Sequence, residues 1–343
     1  MNVPKLFLTV SFLLFAGIGT VALVKQKQQT LSMPSQVVVD NSSEQHVDPS
    51  LLSRPKELSP TLLVPSKKAT ELPLPAVEMA PEEQPVVIEH DEEPEALKAL
   101  FLRGSSCPIV ETVRYKSHVP WKPHRPAWLI DYAYHHKTPL EFLYRSMYDG
   151  EDKIPSSVAD GVQFNVYRDN VDFRFHLVAS LSSCRMRMYY VLLKEKKVVF
   201  LKSYPICVGR KSEQAASGTL TPLGLFQLGP RVAVFKPHMM GSHKGKRVEL
   251  MQIFGSHWIP FEKEIAGCSV PAKGYGIHGT PMVRNSRGDI EEQINTLGGY
   301  HSDGCIRLSG KEMKELFSVI STRKTYVEIV PSFQQSRLLR GEI

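Results

Sequence analysis

The sequence contains no C-x-x-C pair, no Cys/His finger spacing and no basic run interleaved with aromatic residues. Without these, nucleic acid ranks last among the acidic partners that its net charge of +7 would suit. Cysteine is sparse and odd in number, at five. In an exported protein that leaves at least one thiol unpaired, unless a bridge forms between molecules. Charge is absent altogether from residues 6–24, a run of 19 apolar and small residues with Lys5 on one side and Lys25 and Lys27 on the other. At about 1.5 Å rise per residue, such a helix is long enough to cross a bilayer core. Thr20-Val21-Ala22 is only a weak cleavage site, so residues 1–27 read as an uncleaved signal-anchor.

Residues 28–97 hold 13 acidic and 4 basic side chains and ten of the 25 prolines. Such chain buries too little apolar surface to offset its ordering entropy, and it reads as a disordered, proline-rich acidic linker. Since this stretch is acidic, the basic excess falls on the remainder. A basic catalytic region suits an anionic lipid or an anionic cell-wall polymer.

Order begins in a small module within residues 98–180. Trp128-Leu129-Ile130 enters it. Thr138 then reads as an N-cap, with Pro139 at the first helical position, Glu141 at the third, and Leu140, Leu143 and Tyr144 on one face. A strand follows at Val162-Gln163-Phe164-Asn165-Val166-Tyr167. Over residues 127–167 this resembles a degenerate LysM module, a small fold that binds N-acetylglucosamine-containing glycans. His135 and His136 read as solvent-facing.

Residues 181–331 are rich in strands. Residues 186–193 form one, residues 198–201 the next, and residues 204–209 a return, joined by charged or Gly/Pro turns. Cys184 and Cys207 read as small buried apolar residues. Cys305 does not. It closes a tight Ser302-Asp303-Gly304 turn, whose Gly304 and Cys305 N–H groups stand available to a developing oxyanion. Ser309 and Glu312 follow as a capping box, and Met313, Leu316, Phe317 and Ile320 make the buried stripe of a helix. Thr325 to Val330 reads as the closing strand. His278 follows the apolar Tyr275-Gly276-Ile277 run. A thiol becomes a strong nucleophile when a neighbour takes its proton, and an imidazole is suited to that.

The ordered set Thr221-Pro222-Leu223-Gly224-Leu225-Phe226, Ile277-His278-Gly279-Thr280 and Ser302-Asp303-Gly304-Cys305-Ile306-Arg307-Leu308 resembles the L,D-transpeptidase (YkuD-type) catalytic domain. The resemblance implies a mainly β, sandwich-like fold with one packed helix. It implies Cys305 as nucleophile, His278 as the base forming a thiolate–imidazolium pair, and the Gly279 carbonyl orienting that histidine. Ser302, Asp303 and Gly304 become the oxyanion turn, and Arg307, Tyr300 and His301 line the substrate. The implied reaction is attack on the meso-diaminopimelate carbonyl of a tetrapeptide stem, release of D-Ala, and resolution by an amine to give a 3→3 crosslink. The implied partners are peptidoglycan stems and glycan, with carbapenems as covalent inhibitors and no cofactor or metal. The anchor would place the domain in the periplasm on the inner membrane.

Asp303 departs from the family, where His or Lys is common. A carboxylate here would raise the thiol pKa, and His301 is the expected compensation. Residues 281–297 read as an inserted lid with a short helix at 289–295. Residues 236–246 read as an extra basic loop, and residues 332–343 as a basic tail. The alternatives are an L,D-carboxypeptidase or amidase using the same cysteine, a non-catalytic peptidoglycan-binding protein, and a zinc site of Cys268, His278, His301 and Cys305.

Overall fold

Residues 96–285 and 287–342 are described by the structure, a computed structural model. The expected anchor and all but the last two residues of the expected linker lie outside them. No helix among the described residues is long and apolar enough to cross a membrane.

The small module opens with helix α1 (Leu97–Phe101), whose Leu97, Leu100 and Phe101 are buried. Strand β1 (Val110–Arg114) follows, then α2 (Leu129–His135), α3 (Leu140–Met147) and β2 (Gln163–Tyr167). The module therefore starts well before residue 127, because β2 needs β1 as its antiparallel partner, from Val110↔Tyr167 to Arg114↔Gln163. Tyr132, Leu143, Phe164 and Val166 form the core between helices and strands. Asn165 is fully buried and is satisfied by partners from two other segments of the module. Its Nδ2 donates to the carbonyls of Leu100 and Leu102, each at 2.9 Å, and its Oδ1 accepts from Thr112 Oγ1 at 2.7 Å. Thr138 is not the N-cap; that position is Pro139, without a side-chain bond. The Thr138 hydroxyl instead accepts from Tyr167 N at 2.9 Å, tying the helix start to β2.

The larger part of the described residues begins with β3 (Phe173–Ser180), β4 (Arg185–Leu192), β5 (Lys197–Pro205), β6 (Val208–Gly209), β7 (Gly224–Leu228) and β8 (Ala233–Val234). It continues through β9 (Met240–His243), β10 (Lys246–Glu249), α4 (Met251–Phe254), β11 (His257–Ala266) and β12 (Gly276–Gly279). Then come β13 (Met282–Arg284), β14 (Ile290–Glu292), β15 (Tyr300–Ser302), β16 (Ile306–Leu308), α5 (Gly310–Ile320) and β17 (Thr325–Val330). The main sheet has nine strands in the order β16-β12-β11-β7-β17-β3-β4-β5, with β8 beside β11. It is mixed: β3 lies parallel to β17 and β12 parallel to β16, and the remaining pairs are antiparallel. β11 serves both halves. Its Trp258–Pro260 portion pairs with β12, and its Phe261–Ala266 portion pairs with β7 through two register shifts. Such shifts bend a strand, and here they curl the sheet into a mainly β, sandwich-like body.

The boundary expected at residue 181 cuts off β3, which sits between β17 and β4. β5 is a single strand where two were expected; a register shift opposite Met188 and Tyr189 absorbs the irregularity. α5 forms as its sequence dictates. Ser309 Oγ accepts from Glu312 N at 3.2 Å, and Met313, Leu316, Phe317 and Ile320 are buried.

The segment read as a basic tail is docked on the sheet. Buried Glu328 on β17 accepts from Ser336 Oγ at 2.6 Å and from Arg337 N at 2.7 Å, which brings Leu338 into the core. Burial alone would push this carboxyl up, but the nearby His176 ring, 3.7 Å away, and bonds from Ser336 and the backbone outweigh it and hold it below its ordinary value. Its contribution is therefore present above the ordinary carboxyl range and lost as the pH falls below it. Glu328→Gln turns an amide donor toward donors that expect a carboxylate. Urea unfolding at neutral pH should show a loss of about 2–4 kcal/mol. A change under about 0.5 kcal/mol would remove Glu328 as the clasp.

Candidate active site

β12 and β16 run parallel with Ile277 opposite Ile306 and His278 opposite Arg307. Side chains alternate along a strand, and residues in register share a face. Ile277, Ile306 and Leu308 point into the core. His278 and Arg307 are thereby set on the other face, and Cys305 lies in the turn that leads directly into β16.

The turn that presents Cys305 is held by two hydroxyls. Ser302 Oγ accepts from Gly304 N at 3.0 Å and donates to the Cys305 carbonyl at 2.7 Å. Buried Thr221 Oγ1 donates to the Gly304 carbonyl at 2.9 Å and accepts from Gly209 N at 2.6 Å. Gly304 has φ of +123°, in the region that side chains avoid. The expected open N–H at Gly304 is not open, because Ser302 occupies it. Thr221 belongs to a motif visible in the sequence, yet nothing local showed that it would clamp this turn.

His278 is 2% exposed. Its Nδ1 lies 2.7 Å from the Gly279 carbonyl. A carbonyl only accepts, so Nδ1 carries the proton and Nε2 is left as the acceptor. Phe254 meets the ring edge-on at 5.4 Å between centroids, and Trp258 lies tilted against it at 5.7 Å. Burial pushes the imidazole down to about 3, helped by the Arg307 charge and opposed by the Gly279 and Phe254 carbonyls. Burial also pushes the Cys305 thiol up to about 11; a backbone bond from Gly276 and the Arg307 charge oppose this, while Asp303 adds to it. Both groups are neutral at pH 7. The thiolate–imidazolium pair expected from the sequence is not the resting state, because the closed surroundings disfavour both charges.

Asp303 is paired, though not by His301. Arg210 Nη2 lies 2.5 Å from its Oδ1 and Lys244 Nζ 2.6 Å from its Oδ2. The Lys244 ammonium is the main influence holding the carboxyl below its ordinary range, with Arg210 and Arg307 adding to it against burial. Lys244 stands at the tip of the β9–β10 hairpin, which replaces the loop expected over residues 236–246. His243 of the same hairpin meets Phe254 edge-on at 5.6 Å, so hairpin, Phe254 and His278 stack in sequence.

The insertion after His278 is a hairpin of β13 and β14 followed by a short 3-10 turn, Ile294–Thr296, not a helix at 289–295. Asn285 Oδ1 accepts from both Arg287 N and Asp289 N at 2.9 Å, which turns the chain before a helix can start. Glu292 fastens the insertion at its far end, accepting from Thr280 Oγ1 and from Gly310 N at the start of α5. Tyr300 spends its hydroxyl on the Leu181 carbonyl at 2.8 Å, and His301 is exposed. Arg307 exchanges backbone bonds with Cys207, and its buried Nε has no partner among the described residues. Cys268 lies over β7, its thiol 3.2 Å from the Leu225 carbonyl. Among the described residues no three His, Cys, Asp or Glu side chains gather as a metal site.

Residues 174–329 match the family model of the YkuD-type L,D-transpeptidase catalytic domain. The matching solved structures include the helical cell shape determining protein Pgp2 from Campylobacter jejuni, at 16% identity over 50% of this chain and 53% of that one, with a TM-score of 0.33. Bd1075 of Bdellovibrio bacteriovorus matches at 12% identity over 49% of this chain and 53% of that one, with a TM-score of 0.32. The chain thus spans about half the length of the solved structures it matches. No curated protein sequence matches it.

Proposed function

We propose, from the match of residues 174–329 to the L,D-transpeptidase catalytic domain, that the chain forms 3→3 crosslinks in peptidoglycan through Cys305. The observation that supports this reading is the parallel pairing of β12 and β16, which carries His278 on one strand and ends the Cys305 turn at the start of the other, with His278 Nδ1 held by Gly279. The Cys305 sulfur attacks the meso-diaminopimelate carbonyl of a tetrapeptide stem as its proton passes to His278 Nε2. The carbonyl oxygen, now negative, faces the turn, where the N–H groups of Asp303 and Cys305 are the candidate donors. The C–N bond breaks, D-Ala leaves with the proton from His278, and a thioester remains. An amine of a second stem then attacks. Its C–N bond forms, the C–S bond breaks, and the proton returns to the thiol through His278.

Arg307, with a buried guanidinium N–H still unpaired, suits a substrate carboxylate. Residues 6–24 are read as an anchor in the inner membrane, with the catalytic domain in the periplasm, and the module of α1 to β2 as a LysM-like grip on glycan. Carbapenems should acylate Cys305.

The test is a mass spectrum of the protein mixed with disaccharide-tetrapeptide, with Cys305→Ala alongside. A dimeric muropeptide lacking one D-Ala, absent in the variant, is expected. Tripeptide monomer alone would make water the acceptor and the enzyme an L,D-carboxypeptidase. No product from either protein would reject the reaction.

A further inference from the structure

The charges on the catalytic turn do not balance. Asp303, two residues before the nucleophile, faces Arg210 on one carboxylate oxygen and Lys244 on the other. Arg307 acts on the same carboxyl from β16. Two cations from distant segments thus meet one anion at the mouth of the site, with the charge of neighbouring Arg307 added to theirs. The two that touch it are also poorly committed: the Arg210 side chain is 62% exposed, Lys244 67% and Asp303 52%. Ion pairs this exposed are weak and exchange partners readily. Each oxygen of Asp303 meets one cation, an arrangement that any second carboxylate could adopt.

We propose that Arg210 and Lys244 are the receptor for a carboxylate of the stem peptide, and that Asp303 is the resident anion it displaces. The inference rests on the stem-peptide reading above for the ligand, but the receptor itself follows from the charge arrangement. Exchange also has a mechanical consequence. Asp303 is the contact that joins the Lys244 tip of the β9–β10 hairpin to the catalytic turn. When a ligand carboxylate replaces it, the hairpin closes on the ligand instead of on the turn. The cations then become specificity determinants, selecting stems whose carboxylates are free over stems in which they are amidated.

The test that does not depend on turnover is alkylation of Cys305 in the full chain, followed on the Cys305 peptide by mass spectrometry at neutral pH. Iodoacetate carries a carboxylate and iodoacetamide the matching amide, so the ratio of their rates reports the receptor and cancels changes in thiol reactivity. Removing one full charge near the thiol should move the ratio about three- to fivefold. Asp303→Asn is expected to raise the ratio by that amount, and Arg210→Ala with Lys244→Ala to lower it. An unchanged ratio in both variants overturns the proposal. The second arm compares tetrapeptides with free and amidated diaminopimelate carboxylates. The double variant should raise KM for the free acid and leave KM for the amide where it was. Equal effects on both peptides would likewise overturn the receptor. If the alkylation ratio responds but the wild-type protein turns over neither peptide, the receptor stands and the crosslinking reading falls.

Discussion

His278→Gln is expected to lower turnover of the tetrapeptide by about 10²- to 10⁴-fold, the range a positioned general base contributes. The argument is one of protonation states. Burial keeps the Cys305 thiol protonated up to about 11 and keeps His278 neutral down to about 3. No thiolate waits in the resting enzyme, so the imidazole must take the proton as the C–S bond forms. The pH profile carries the same information. A base with its pKa lowered to about 3 is in its working, unprotonated form at every pH above that value. kcat/KM should therefore stay level from about pH 8 down to about pH 5, where a solvent-facing histidine would show an acid limb near its ordinary 6.5. A limb at that value would mean that His278 is not sealed by Phe254 and Trp258. A rate unchanged in the glutamine variant would remove it as the base.

The parts of this molecule that were legible in its sequence are those whose causes lie close together in the chain. Ser309 and Glu312 cap α5, and the stripe of Met313, Leu316, Phe317 and Ile320 buries it, all within one helix. The Cys305 turn and the His278 strand are likewise short local patterns. β3 was hidden because Arg174 and His176 interrupt its apolar run. His176 is fully buried there, with Glu328, far along the chain, 3.7 Å away once β3 and β17 pair. The helix expected in the insertion lost to Asn285, whose side chain gives the backbone a turn in place of a helical start. Arg210 carried no signal, and Lys244 was visible only as part of the basic loop over residues 236–246. A surface cation acquires meaning from whichever anion the fold brings to it, and here that anion arrives from a third segment.

Gly304→Ala carries the other large expected effect. A β-carbon at this position would lie 2.6 Å from Tyr275 Cε1 and 2.7 Å from the Leu220 carbonyl oxygen. The tyrosine ring could swing aside, but the carbonyl is main chain, and Leu220 N is itself bonded to the Arg210 carbonyl at 2.9 Å. The φ of +123° adds a conformational penalty that glycine does not feel. The turn must therefore move, and Gly304 carries its carbonyl away from Thr221 Oγ1 as it does. Displacing a nucleophile by about 1 Å costs about 10²-fold in rate, so kcat should fall by at least that much while the domain still folds. Thr221→Ala cuts the same clamp from its other side. Because the two residues act through one hydrogen bond, adding Thr221→Ala to Gly304→Ala should cost much less than Thr221→Ala costs alone. Full additivity in that cycle would mean that Thr221 supports activity by some route other than the turn, and a wild-type rate in Gly304→Ala would mean that the turn tolerates what its geometry forbids.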